Sequence, residues 1–437
     1  MLAERLAEFA LHACPEAAAL ERMRLSLFDW AVCALAGQGT DVARAVRALA
    51  RQEGGATQAG LLGSASRVPV RMAALANGAA GHALDCDDTH FAHIGHPSAA
   101  VVPAALAVAE QAGAGGRALL EAALVGAEAS VRVGLWLGRA HYQAGFHQTA
   151  TAGAFGACLA VARLLGLGPA GTAQALGLLA SRASGLKVQF GSMGKPLNAG
   201  IAAANGVEAV LLARAGLRSV PEALEGAQGF GATHAGEGNV GAFESLGTCW
   251  LMRDVRYKFH ACCHGLHAML EALAAVVPAG GVRPGRLIGL EISAHPRWAT
   301  VCDIAAPEDG LQCKFSFRQV AAMLLAGRDT AQPESYSDAA ARDPLLAGLR
   351  ERVRVEFDGE LPEWAAEVRL RMAGAAVRRA RHDLSAPVAP DVLAARLRGK
   401  ARAFLGAARA EALEAAVLSG PAPEMAALLR ILFPAEG

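Results

Sequence analysis

Ala83-Leu84-Asp85-Cys86-Asp87-Asp88-Thr89-His90 runs through His93 to His96-Pro97-Ser98-Ala99-Ala100-Val101-Val102-Pro103-Ala104-Ala105-Leu106-Ala107-Val108-Ala109-Glu110. The second half is apolar all round at helical spacing, which is the pattern of a helix at the centre of a fold rather than at its surface. The first half is its opposite. Three carboxylates, a threonine and three histidines fall within the twelve residues 85–96. So many polar groups beside a core are unfavourable unless each has a partner. The stretch therefore predicts a helical core with an acid/base or electrostatic site at its edge.

Working outward, helical spacing recurs over 16–36, 68–84, 97–113, 117–139, 147–166, 169–185 and 195–215. Gly37 and Gly166-Leu167-Gly168-Pro169 mark helix stops. The character changes after about residue 268. Arg286–Ile292 reads as a strand, and Arg352–Phe357 and Glu367–Met372 alternate strictly. The turn-rich Asp358–Pro362 between the last two predicts a hairpin with a longer loop. Phe317–Leu325 reads as a helix, and 401–433 is helical again. The expectation is a mainly α protein. Residues 1–267 form an all-helical domain, with 401–437 packing back on it, and 268–400 form a smaller α+β domain.

Composition limits the functions available. Hydrophobic residues make up 53% of the 437 and charged residues 19%, so a large core is expected. Aromatics are only 5%, so Ala, Leu and Val must build it and helices must pack closely. The net charge is +1, without a basic stripe interleaved with aromatics, which argues against nucleic acid. The nine cysteines are odd in number and contain no CxxC, as in a reduced, cytoplasmic protein. Met1–Glu8 reads as an amphipathic helix start and not a signal peptide. No run of about 18 uncharged apolar residues suggests a membrane span.

Three further polar clusters interrupt the apolar pattern. Gly145–Thr151 precedes a helix; Thr149 or Thr151 is expected to cap it, with His147 near its positive end, a natural place for an anion. Gly191-Ser192-Met193-Gly194-Lys195-Pro196 opens another helix. Lys258–His267 carries His260, His264 and His267 beside the Cys262-Cys263 pair. Spacings of three and four also suit a metal, but HExxH is missing and Gly95 and Pro97 break the first histidine series, so no metal is expected. Gly166–Gly171 fits GxGxxG only formally, because it follows a helix and not a strand. Gly194-Lys195 is not a phosphate loop, since Gln189 and Pro196 stand where Gly and Ser/Thr belong.

The four clusters, in this order, resemble the MmgE/PrpD family, which includes 2-methylcitrate dehydratase, cis-aconitate decarboxylase and iminodisuccinate epimerase. The pieces that carry the resemblance are ALDCDDTH…HPSAAVVPAALAVAE, GFHQTATAGAFGA, GSMGKPLNAGIAAANGVEAVLLARAG, KFHACCHGLHA and GLQCKFSFRQVAAMLLAG. The resemblance implies a large helical domain with a smaller α+β lid, a homodimer, no metal or organic cofactor, and a site between the two domains. It implies that Asp85, Thr89, His96, His147 and Lys195 line that site. His267 matches a further histidine, with Cys263 as the competing position. The segment between Thr89 and His96 is one residue longer than in the decarboxylase, which places His93 among the candidates. Gln319 stands where the decarboxylase has a tyrosine, and Lys314 and Arg318 look more like the epimerase-type members. Ser192 joins Thr89, His93, Cys263, Lys314 and Gln319 as a candidate substrate contact.

Family substrates are small polycarboxylates. Lys195 and His147 would bind a carboxylate and stabilise charge developing on it. His96 and His267 are candidates for base and acid. Asp85 would hold a histidine in its tautomer or accept a substrate hydroxyl. The expected activity is a cofactor-independent lyase, dehydratase-like or decarboxylase-like. An epimerase is the alternative, and a catalytically silent helical binding protein is the competing class.

Overall fold

The computed structural model describes residues 1–434. The chain divides into two compact units, Met1–Tyr257 with the stretch from Leu397 onward, and Lys258–Arg396. The cluster Lys258–His267 therefore belongs to the second unit. The sequence analysis had kept it in the first.

In the first unit α1 spans Leu2–His12, α2 Ala17–Gly37, α3 Asp41–Glu53, α4 Val70–Gly81, α5 Pro97–Ala112, α6 Gly116–Gln143, α7 Gln148–Leu164, α8 Pro169–Ala180 and α9 Gly194–Arg214. The apolar spacing anticipated most of these to within a few residues. α5 and α7 are buried along nearly their whole length, as their all-round apolar pattern requires. Packing joins α6 to α7, α4 to α9, and α7 to α9 and α5. Small residues make this possible. Gly78 of α4 and Gly200 of α9 meet with no room for a Cβ, as do Gly126 of α6 and Gly156 of α7. By length and composition α9 is apolar enough to cross a membrane, but most of it is buried inside the unit. The unit is not purely helical: β1 (Ala59–Gly60) and β2 (Arg67–Val68) form a two-residue antiparallel pair.

Two buried ion pairs anchor the irregular parts of this unit. Arg132 donates from Nε to Glu128 Oε1 at 2.6 Å, and to the carbonyls of Ala242 and Cys249 at 2.8 and 2.7 Å. It thereby holds the loop before Tyr257 against α6. Lys400, on the helix Pro390–Leu405, donates to Asp29 of α2 and to the carbonyl of Cys86, each at 2.5 Å.

The second unit carries a four-stranded sheet of β3 (Leu287–Ala294), β4 (Val353–Phe357), β5 (Ala365–Met372) and β6 (Arg378–Asp383), in the order β4-β3-β5-β6. The hairpin expected between β4 and β5 does not form. β3 lies between them, parallel to β4 and antiparallel to β5. Asp358–Pro362 thus joins strands that are not neighbours, and the true hairpin is β5–β6. β6 reads Arg-Arg-Ala-Arg-His-Asp and has no buried residue, so it left no apolar alternation to detect. The expected helix Phe317–Leu325 is present with those bounds. The protein is mainly α with a smaller sheet-containing unit, as expected.

Candidate active site

Three helix starts converge in the first unit. His96 is the N-cap of α5 and His147 the N-cap of α7, while Lys195 lies in the first turn of α9. Pro97 fits at the first position of α5, where its missing N–H costs nothing. Each start carries unsatisfied N–H groups and the positive end of a helix dipole, so the region favours an anion. The threonines behave differently from expectation. Neither caps α7 through its side chain. Thr149 Oγ1 accepts the His96 backbone N–H at 3.1 Å and so ties two helix starts together. Thr151 Oγ1 pairs with His141 Nε2 at 2.9 Å.

Asp85 joins these starts. Its backbone is in the left-handed region, with φ +53, which Asp tolerates better than most residues. This conformation turns its carboxylate toward both Lys195 and His96: Oδ2 lies 2.7 Å from Lys195 Nζ, and Oδ1 lies 3.4 Å from His96 Nε2. The other edge of the His96 ring faces Asp87, with Nδ1 3.4 Å from Oδ2. Asp87 is wholly buried and also faces His82 Nδ1, at 2.9 and 3.0 Å to its two oxygens. Burial alone would push the Asp87 carboxyl up. The charges and hydrogen bonds of His82 and His96 outweigh it, and the group lies well below the usual carboxylate range.

His147 completes the group. It is 2% exposed, its ring stacks on His82 with centroids 6.0 Å apart, and the Phe190 ring meets it edge-on at 5.0 Å. Burial, then the charges of His82, Lys195 and His96, hold its imidazole well below the ordinary value, so it is neutral. Lys195 Nζ also sits 5.1 Å above the Phe190 ring. The structure therefore assembles four of the expected residues, Asp85, His96, His147 and Lys195. It adds His82 and Asp87, neither of which is among the candidates named from the sequence. His82 ends α4 immediately before the quoted run, and its spacing to Asp85 and Asp87 was the signal.

Thr89 is half-buried on the same loop, which its backbone pins to Arg256 by two hydrogen bonds of 2.8 and 2.7 Å. His93 is withdrawn from the site. It is fully buried, and a Cβ on either Gly95 or Gly134 would overlap its ring. Neither ring nitrogen has a hydrogen-bond partner, and burial drives its imidazole far down. The His93 ring packs against Gly134 of α6. Ser192 is exposed and turned back on Gln189, with Oγ 2.9 Å from that carbonyl.

The remaining candidates lie in the second unit. His267 is 1% exposed, with Nε2 3.3 Å from the Cys262 carbonyl and with the His264 and His260 rings at 4.7 and 5.0 Å. Burial and those neighbours hold it neutral. Cys263 is half-buried; its N–H donates to the Lys314 carbonyl at 3.1 Å, and its sulfur shares a hydrogen bond with that of Cys302, both cysteines being free. Lys314 Nζ stands 5.8 Å over the Tyr336 ring. Gln319 is fully buried and structural: Nε2 donates to the Ala340 carbonyl at 3.0 Å, and Oε1 accepts from Arg350.

His82, Asp85, Asp87 and His96 bring ligand atoms within 4.8 Å of one another, a set with the chemistry to hold a metal ion. The histidine series considered from the sequence is not that set. Lys195 already supplies a positive charge to this cluster through Asp85.

The starts of α5, α7 and α9 thus converge on an Asp–His–Lys group within a helical unit. The MmgE/PrpD N-terminal domain matches residues 1–241 and the MmgE/PrpD C-terminal domain matches residues 260–419. The chain belongs to the MmgE/PrpD family. It is 30% identical over 272 residues to the cis-aconitate decarboxylase-like protein oryM of Aspergillus oryzae, covering 58% of this chain and 56% of that one. It is 30% identical over 303 residues to human cis-aconitate decarboxylase, covering 67% and 62%, and 28% identical over 356 residues to the mouse enzyme, covering 78% and 72%. The chain thus spans less than two thirds of the length of the first two relatives.

Proposed function

We propose that this protein is a cofactor-independent lyase that acts on a small polycarboxylate, with decarboxylation of a cis-aconitate-like substrate as the leading reaction. The observation that carries this reading is the convergence of the starts of α5, α7 and α9 on Asp85, His96, His147 and Lys195. The names of the similar proteins support it.

Lys195 and the helix starts bind one substrate carboxylate, displacing the Asp85 contact in part. The carbon–carboxylate bond of a second carboxylate breaks and CO2 leaves. The electron pair left on carbon is delocalised into the carboxylate held by Lys195, which stabilises it electrostatically. A proton from His96 Nε2 then quenches the carbanion, and solvent returns the proton to the ring. Neutral His147 donates or accepts a hydrogen bond without bringing a second positive charge.

Epimerisation is the second reading. The observation that favours it is the burial of Gln319 against Ala340 and Arg350, which leaves no phenol where the decarboxylase has one. His96 would then remove a proton from one face and His147 would deliver one to the opposite face, with solvent restoring both rings. Incubation with cis-aconitate, 2-methylcitrate and iminodisuccinate, followed by NMR, separates the readings. Loss of CO2 from cis-aconitate supports the first. Racemisation of iminodisuccinate alone replaces it with the second. No change in any of the three supports a silent binding protein.

A further inference from the structure

We propose that Asp87, clamped by His82, is the positioning residue that decides which nitrogen of His96 exchanges the proton; this rests on the function proposed above. Asp85 and Asp87, two residues apart, face opposite edges of one imidazole, each at 3.4 Å. Asp85 takes a left-handed backbone, and Lys400 holds Cys86, the residue between them, by its carbonyl. The two carboxylates are not equivalent. Asp85 is about a third exposed at its side chain and shared with Lys195, whereas Asp87 is wholly buried.

Asp87 has an imidazole on each side: His82 Nδ1 lies 2.9 and 3.0 Å from its two oxygens, and His96 Nδ1 faces Oδ2 at 3.4 Å. A buried carboxylate that stays ionised accepts N–H bonds and cannot give one. The proton of neutral His96 is therefore held on Nδ1. Nε2 is left as the exchanging atom, on the side of Asp85 and Lys195. His82 is not itself the exchanging group. Its side chain is fully buried, edge-on to His96 at 4.6 Å and stacked on His147. Its role is to keep Asp87 from rotating.

The test uses the full chain labelled with ¹⁵N-histidine, with the His96 signals assigned by their loss in His96→Gln. Long-range ¹H–¹⁵N spectra recorded through a pH titration identify the protonated nitrogen of the neutral ring. The expected result is a proton on Nδ1 in the wild type and on Nε2 in Asp87→Asn, whose amide presents a donor to Nδ1. On the polycarboxylate that is turned over, Asp87→Asn lowers kcat by about 10²–10⁴-fold with KM changed less than about threefold, as trapping the wrong tautomer does in other His–Asp pairs. The alkaline limb of its kcat profile also moves to lower pH, because His96 gives its proton as an imidazolium that has lost its anion. A wild-type proton on Nε2 overturns the proposal, as does an Asp87→Asn variant with normal kcat and an unmoved limb. The wild-type spectrum decides even if that variant fails to fold. It needs no substrate, so failure of the proposed function leaves a separate signature.

Discussion

Lys195 Nζ lies 2.7 Å from Asp85 Oδ2, an ion pair between the first turn of α9 and a left-handed residue that follows α4. On the function proposed above, Asp85 holds the lysine where a substrate carboxylate would replace it. Lys195→Met is expected to weaken binding of a tricarboxylate by roughly 10- to 100-fold, the value of one charge-assisted hydrogen bond. Calorimetric titration at fixed ionic strength measures it. Unchanged affinity places the anion elsewhere.

Acid should destabilise the fold well above the range of ordinary carboxylates. Burial holds His93, His147 and His267 neutral and pushes His90 and His141 down to about 4. The unfolded chain protonates each near pH 6.5, whereas in the folded chain all five resist to well below that, His90 and His141 until about 4. Their stability is thus present in full above pH 6.5 and is lost as the pH falls toward 4. For His90 alone this amounts to about 3 kcal/mol. Asp88 works against them. Burial, opposed by its bond to Ser98, lifts its carboxyl to about 7, so it destabilises the fold as the pH rises from about 4 to 7. Five imidazoles outweigh one carboxyl. The melting temperature should drop by several degrees between pH 6.5 and 4.5 in scanning calorimetry, and a flat profile would contradict these burials.

Gly134→Ala tests where His93 sits. The new Cβ would overlap the His93 ring, in a space with no flexible neighbour. A loss of about 1–3 kcal/mol in urea unfolding is expected from such overpacking. A variant as stable as the wild type would mean that His93 is not packed on α6.

Lys400→Met removes a buried cation from Asp29 and from the Cys86 carbonyl. Leaving Asp29 buried without it should cost about 3–5 kcal/mol by denaturant titration. Turnover should fall as well, since Cys86 lies between Asp85 and Asp87. Normal stability with normal turnover would show that the C-terminal helix does not brace the site loop.

The helical order was legible because apolar periodicity reports burial directly, and α5 and α7 are buried as their sequences imply. Sheet order was not. The turn after β4 looks like any hairpin turn, and nothing in β3 announces that it inserts between β4 and β5. The clusters that hold Asp85, His96, His147 and Lys195 are legible because they interrupt an apolar pattern, and the family resemblance singles out these four within them. The inward turn of His93 depended on the absent Cβ of Gly134, distant in sequence. Lys400 depended on a pairing 371 residues away, which local pattern cannot reveal.

The most direct test of the central claim is the turnover of cis-aconitate by the wild-type chain and by His96→Ala, followed by NMR under the same conditions. The account predicts release of CO2 by the wild type and a rate at least about 100-fold lower for the variant. Equal rates in the two, or a wild-type chain that leaves cis-aconitate, 2-methylcitrate and iminodisuccinate all unchanged, would contradict it.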